Sequence, residues 1–189
     1  FDFDKCPIAD IGDIAVVPGD VQQTLSRISN VVENIVDDGK IPVIIGGEHT
    51  ITYGVIKALR KYSPCVMVFD AHFDLRENYL GYKLSHASVM RRVSELLGTR
   101  KIMFIGVRGF SEEEYAYVRQ KNITYITSTQ ILNESRATIL KIIKGFLSNC
   151  KRTYITVDMD VFDPSYAPGV DNPEPEGITP TIFFDILFN

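Results

Sequence analysis

The chain has no long apolar run, no excess of basic residues, and only three cysteines and three histidines among 189 residues. Its purely apolar stretches last a handful of residues, too few to span a bilayer, and its beginning lacks the basic-then-apolar pattern of a secretion signal. Lys and Arg number 20 against 24 Asp and Glu, and the net charge of −4 gives no reason to expect a nucleic-acid or anionic-membrane partner. Cys6, Cys65 and Cys150 are odd in number, far apart and without a CxxC pair, which predicts reduced thiols and a cytoplasmic location. Linkers and repeats are also missing, so the chain reads as one domain, long enough to hide roughly 70% of its unfolded surface. The first residue is Phe1 and not Met, from which we expect further chain upstream.

Two kinds of segment alternate. Short β-branched-rich runs at Ile14 to Val17, Pro42 to Ile45, Cys65 to Phe69, Lys101 to Ile105, Ile123 to Ile126 and Thr153 to Val157 predict strands. Between them, helical spacing covers Val21 to Val36, where Leu25, Ile28, Val32, Ile35 and Val36 form a stripe and Gly39 follows as a stop, and also Thr52 to Lys61, Ser88 to Leu97, Ser111 to Gln120 and Ser135 to Leu147. Strand then helix, repeated, predicts a parallel α/β sheet covered by helices on both faces. Ligands bind such sheets beyond the carboxyl ends of the strands. The irregular stretch from Asp163 to Gly177, with Pro164, Pro168, Pro173 and Pro175, predicts a rigid loop beside that edge.

Three polar clusters follow three apolar runs: GGEH ending at His49, DAHFD with Asp70, His72 and Asp74, and DMD with Asp158 and Asp160. Residues two apart point to one side while the chain is extended, so each cluster can converge on a point. Four carboxylates and two imidazoles, with no cysteine among them, suit hard divalent cations such as Mn²⁺ better than a thiolate zinc site. Charge favours two ions, since two dications balance four carboxylates. Ions roughly 3.5–4 Å apart can share a water and lower its pKa. Taken singly, each cluster has a bland reading: a capping His49, an Asx turn at Asp70, solvated carboxylates after Val157. The bland readings together require three accidents at one sheet edge.

GGEHTITYG, DAHFDLRENYLGYKLSHASVMRR and TVDMDVFDPSYAPGVDNPEPEGIT resemble, in order and spacing, the ureohydrolase family of arginases and agmatinases, especially archaeal-type agmatinases. The resemblance covers most of the chain. It implies a three-layer α/β/α fold with a mostly parallel sheet, a centre of two Mn²⁺ ions, and hydrolysis of a guanidino group to urea, with agmatine giving putrescine. It implies that His49, Asp70, Asp74 and Asp158 hold one ion and Asp70, His72, Asp158 and Asp160 the other. Asp74 would also orient the attacking hydroxide, and His86 would carry a proton to the departing amine. The expected partner is a small guanidino substrate, and the expected assembly a homo-oligomer, a trimer or hexamer.

The resemblance also implies that residues 1–189 form a single ureohydrolase domain truncated at both ends, and that a glutamate gripping the substrate guanidinium lies on a strand beyond Asn189. Arginine or guanidinobutyrate are alternative substrates. A metal-binding but inactive assembly subunit and a metallophosphatase are alternatives of other classes. Other features take modest readings: Glu112 to Glu114 as a solvated first helical turn, Arg91 and Arg92 as surface or subunit contacts, Glu174 and Glu176 as groups within reach of a cationic substrate, Asp163 as a loop fastener, and Gly46 and Gly47 as a tight turn delivering His49.

Overall fold

A computed structural model describes residue 5 and residues 7–189. Four parallel strands form the sheet: β1 (Cys65–Phe69), β2 (Ile102–Val107), β3 (Thr124–Thr127) and β4 (Thr153–Val157), in the order β3-β2-β1-β4. The connections between them carry helices α3 (Val89–Leu97), α4 (Glu112–Lys121), α5 (Ser128–Asn133) and α6 (Arg136–Leu147). Helices α1 (Val21–Asp37) and α2 (Ile51–Leu59) precede the sheet, and α7 (Pro180–Leu187) follows it.

The central strands are buried on both faces, and their period of two sorts side chains between two cores. Val66 and Val68 of β1, with Ile102 and Phe104 of β2, face Ile56, Val89, Val93 and Val118 of α2, α3 and α4. Met67 and Phe69, with Met103 and Ile105, face Ile139 and Ile143 of α6 and Phe183 and Ile186 of α7. Each fully buried aliphatic or aromatic side chain contributes roughly 1.5–3 kcal/mol, so the helix layers follow from strand alternation. Outside them, Leu25, Ile28 and Val32 of α1 pack on Val55 and Ala58 of α2. Gly54 permits that closeness, because a Cβ there would meet Leu25 O at 3.0 Å and Ile28 Cβ at 3.2 Å.

Two expected strands are not strands. Residues 14–17 and 42–45 have no ladder partner among the described residues, and Ile41, Val43 and Ile45 are 89%, 82% and 93% exposed. β-branched composition favours extended backbone, but a strand exists only when a neighbour takes its hydrogen bonds. β4 is an edge strand on the same argument, with Ile155 and Val157 partly exposed.

The cysteine expectation is overturned. Cys65 and Cys150 form a disulfide, with Cα atoms 5.7 Å apart. Separation by 85 residues hid the pairing, yet Cys65 opens β1, and Cys150 lies just before β4, where Cys65 is in register with Thr153. Cys6 lies outside the described residues. The cysteines therefore no longer argue for a reducing compartment. No described helix is long and apolar enough to cross a membrane.

Candidate metal centre

Strand register brings the clusters together. Phe69 is the last residue of β1 and is aligned with Val157, the last of β4, so Asp70 and Asp158 leave the sheet side by side. The Asp158 amide donates to Phe69 O at 2.8 Å, and the Asp70 amide to Ile105 O at 3.2 Å. Beyond this point the chain is not extended. Asp70 Oδ1 accepts from the His72 amide at 2.7 Å, and Asp158 Oδ1 from the Asp160 amide at 3.1 Å, two tight turns in place of the expected alternation. The Asx turn at Asp70 and the convergence on a metal point are thus compatible. Asp74 has φ +51, a left-handed conformation that costs a non-glycine residue roughly 1 kcal/mol or more. It is held there because its carbonyl accepts from Met90 and Arg91 at the start of α3.

His49 arrives from another direction. Gly46 and Gly47 have φ of +106 and +72, conformations suited to glycine, and they turn the chain into α2 as expected. Its ring is buried, and Nε2 lies 3.2 Å from Thr156 Oγ1, which also meets Thr52 Oγ1 at 2.9 Å. Thr156 therefore ties β4 to the start of α2.

The six side chains lie close together here, but only five fall into candidate ligand groups: Asp74 stands beside His49 in neither, and Asp158 is in one and not in both as expected. His49 Nδ1 lies 2.9 Å from Asp74, 3.0 Å from Asp70 and 3.7 Å from Asp158. His72 Nδ1 lies 3.0 Å from Asp160 and 3.6 Å from Asp70. One ring proton can serve one carboxylate, whereas three surround His49 Nδ1. Asp70 Oδ2, within this cluster, is a buried oxygen left without a hydrogen bond. A dication satisfies such a cluster where a proton cannot. Two overlapping ligand groups result, His49 with Asp70 and Asp158, and Asp70 with His72 and Asp160, sharing Asp70. The donors are oxygen-rich with one imidazole each, which fits a hard ion such as Mn²⁺.

The facing carboxylates favour the protonated form of both histidines. Burial lowers the His72 pKa, but Asp160 and Asp70 outweigh it and push it up to about 11; His49 is raised well above its ordinary value against burial by Asp70 and Asp74. Burial and the Asp70 charge push Asp74 up to about 7, and burial raises Asp158 and Asp160. The signs run one way. Asp74, raised above its unfolded 3.8, costs the metal-free fold stability as pH climbs towards 7. His72, raised above 6.5, stabilises below that value and loses its contribution as pH approaches 11. Cation binding displaces these protons, so affinity rises with pH, about tenfold per unit for each proton released. The melting-temperature gap between manganese-loaded and chelated protein is expected to widen from pH 6 to pH 8. A gap independent of pH in thermal melts contradicts this.

His86 does not join the six. It opens the 3₁₀ turn His86–Ser88, edge-on to Tyr79 with ring centroids 5.1 Å apart. Two modest readings change and a third holds. Glu114 is buried and accepts from the Leu75 amide at 3.0 Å, while Glu113 accepts from the Glu77 amide at 2.9 Å, so the first turn of α4 pins the segment after Asp74. Arg91 and Arg92 are intramolecular: Arg91 meets Glu77 at 2.8 Å and stacks 3.6 Å over Tyr117, and Arg92 donates to Glu77 O. Asp163 does fasten its loop, accepting from Ser165 at 3.0 Å and Gly177 at 3.2 Å.

Arg108 escaped the sequence reading. Directly after β2, it donates to the carbonyls of Gly106, Asp160, Val161, Phe162, Glu174 and Pro175 at 2.7–3.3 Å, joining the proline-rich loop to the Asp160 turn. Its place at the carboxyl end of a strand was the available signal.

The structure is a parallel α/β domain with a carboxylate-rich candidate metal site at its strand ends. This chain belongs to the arginase family, whose model matches residues 1–189. It is 36% identical over 94% of its length to the N(1)-aminopropylagmatine ureohydrolase of Thermococcus kodakarensis and 34% identical over 90% to the agmatinase of Bacillus subtilis. The agmatine ureohydrolase of Thermoplasma volcanium superposes with a TM-score of 0.86 at 37% identity over 95% of the chain. The chain spans 59%, 57% and 60% of the lengths of these three proteins.

Proposed function

We propose that the protein hydrolyses the guanidino group of an amine-ended aliphatic guanidine, agmatine first among them, to urea and the free amine. In this reading two Mn²⁺ ions are held by His49, Asp70, Asp74 and Asp158 and by Asp70, His72, Asp158 and Asp160. The observation that carries it is the pair of ligand groups overlapping at Asp70. When bound, such a pair supplies Lewis acidity and a water of lowered pKa. Asp74, 2.9 Å from His49 and turned inward by its left-handed backbone, orients the attacking water by accepting its hydrogen bond. Water adds to the guanidine carbon, the bond to the substituted nitrogen breaks, and that nitrogen leaves as an amine after taking a proton, for which His86 is the donor in this reading. The choice of an amine-ended substrate is supported by the relatives named above and by the likeness of residues 75–84 to agmatinase-type sequences.

Urea release by the intact protein, loaded with Mn²⁺, tests the reading. Agmatine, N(1)-aminopropylagmatine, arginine and 4-guanidinobutyrate are compared with a panel of phosphate esters. The amine-ended guanidines are expected to give the highest kcat/KM, and release is expected to vanish with chelator. Urea from none of the guanidines, or turnover of phosphate esters alone, overturns it.

A further inference from the structure

Both ring nitrogens of His72 face carboxylates. Nδ1 is directed at Asp160 and Asp70, inside the ligand cluster, while Nε2 lies 3.5 Å from Glu174 Oε1, across the ring. A neutral imidazole carries one proton. If Nδ1 offers its lone pair to a cation, that proton resides on Nε2 and requires an acceptor.

The loop holding Glu174 is built to keep the carboxylate there. Pro173 and Pro175 flank it and fix their own φ. Arg108 donates to the carbonyls of Glu174 and Pro175, both at 2.9 Å, and with the same guanidinium to Asp160 O at 2.7 Å, so Glu174 is tied to the turn that presents Asp160. Gly109 completes the fit. A Cβ at that position would lie 2.9 Å from Glu174 Oε1 and 3.0 Å from His72 Nε2 and Cδ2, so the glycine leaves the pair room that a side chain would press on. The Gly109 amide is itself anchored by Ala71 O at 2.9 Å, in the same DAHFD loop as His72.

We propose that Glu174 is a positioning residue, held by Arg108 and given room by Gly109, which accepts the Nε2 proton of His72 and so fixes the tautomer that leaves Nδ1 free for the ion that Asp70, His72 and Asp160 would hold. This rests on the two-ion reading above. It differs from the expectation that Glu174 contacts the cationic substrate. The acceptor role is favoured because the group facing the carboxylate is the histidine ring.

The test is manganese binding to the intact protein and to Glu174→Ala, Glu174→Gln and Arg108→Lys, followed by steady-state kinetics with agmatine. The Glu174 side chain is 39% exposed, so its variants retain the fold, which circular dichroism checks. Glu174→Ala is expected to weaken one of the two ions by about 10- to 100-fold and to leave the other unchanged. Glu174→Gln keeps an acceptor oxygen and is expected to lose less, and Arg108→Lys, which reaches fewer carbonyls, to fall between Gln and wild type. At saturating manganese, KM for agmatine is expected to stay within about twofold of wild type. Unchanged isotherms in Glu174→Ala, or a raised KM with unchanged metal affinity, overturn the inference while the two-ion reading stands. Wild type that binds no divalent cation overturns both.

Discussion

Asp70→Asn is expected to cut manganese-dependent urea release by at least ~10³-fold while leaving the protein folded. Removing a single group that stabilises developing charge costs roughly 10²–10³ in rate, and Asp70 stands in both ligand groups, so its neutralisation weakens both at once. The local turn survives, because the amide oxygen of asparagine still accepts from the His72 amide as Asp70 Oδ1 does at 2.7 Å. The other oxygen, buried without a hydrogen bond, is the position that changes. Urea assays beside far-ultraviolet circular dichroism check the prediction. A folded variant that keeps more than a tenth of the activity contradicts it.

Gly177→Ala is expected to destabilise the protein by about 3 kcal/mol or more, the upper range of overpacking. A Cβ at Gly177 would lie 2.2 Å from the Asp163 amide nitrogen and 2.4 Å from the Phe162 carbonyl carbon. Both are backbone atoms, locked by the Ile178 amide to Val161 O and the Asp163 amide to Ile178 O, each at 3.1 Å. No side-chain rotation relieves the clash, so the proline-rich loop must lift from the turn that carries Asp160. In a chain of this size the expected loss in Tm is roughly 6–12 °C. Gly169→Ala, where an added Cβ meets nothing within 4 Å, is the control and is expected to melt within about 2 °C of wild type. Equal melting temperatures for the two variants contradict the packing argument.

The candidate metal-binding cluster was legible in the sequence because its chemistry is local. Asp70, His72, Asp158 and Asp160 come within a few residues of apolar runs that read as strands, and β1 and β4 carry them to one edge in register. The route was less legible than the destination. Asp74 reaches the cluster through a left-handed residue and not through strand alternation, and that conformation depends on the α3 amides that hold its carbonyl.

What composition hid was long-range. Residues 42–45 look like a strand, but pairing is a property of two segments and cannot be read from one. Glu114 looked like a solvated first-turn carboxylate, and its burial is decided by the Leu75 amide 39 residues away. For Arg108 the one local signal, its place at the end of a strand, says nothing of its partners, since four of its six carbonyl partners lie 52–66 residues on and a fifth 67, in loops whose path the local sequence does not show. The Cys65–Cys150 bridge depends in the same way on β1 and β4 being neighbours. Groups that bind through their own chemistry are visible early, and groups that act by holding other segments in place become visible with the fold.

The central claim is that these six side chains form one centre for two ions. Manganese titration of the metal-free, intact protein, followed by electron paramagnetic resonance, tests it most directly. The account predicts two ions per chain, with a spectrum of magnetically coupled ions from wild type and its loss in Asp70→Asn. One uncoupled ion per chain, or the same uptake by Asp70→Asn as by wild type, would contradict it.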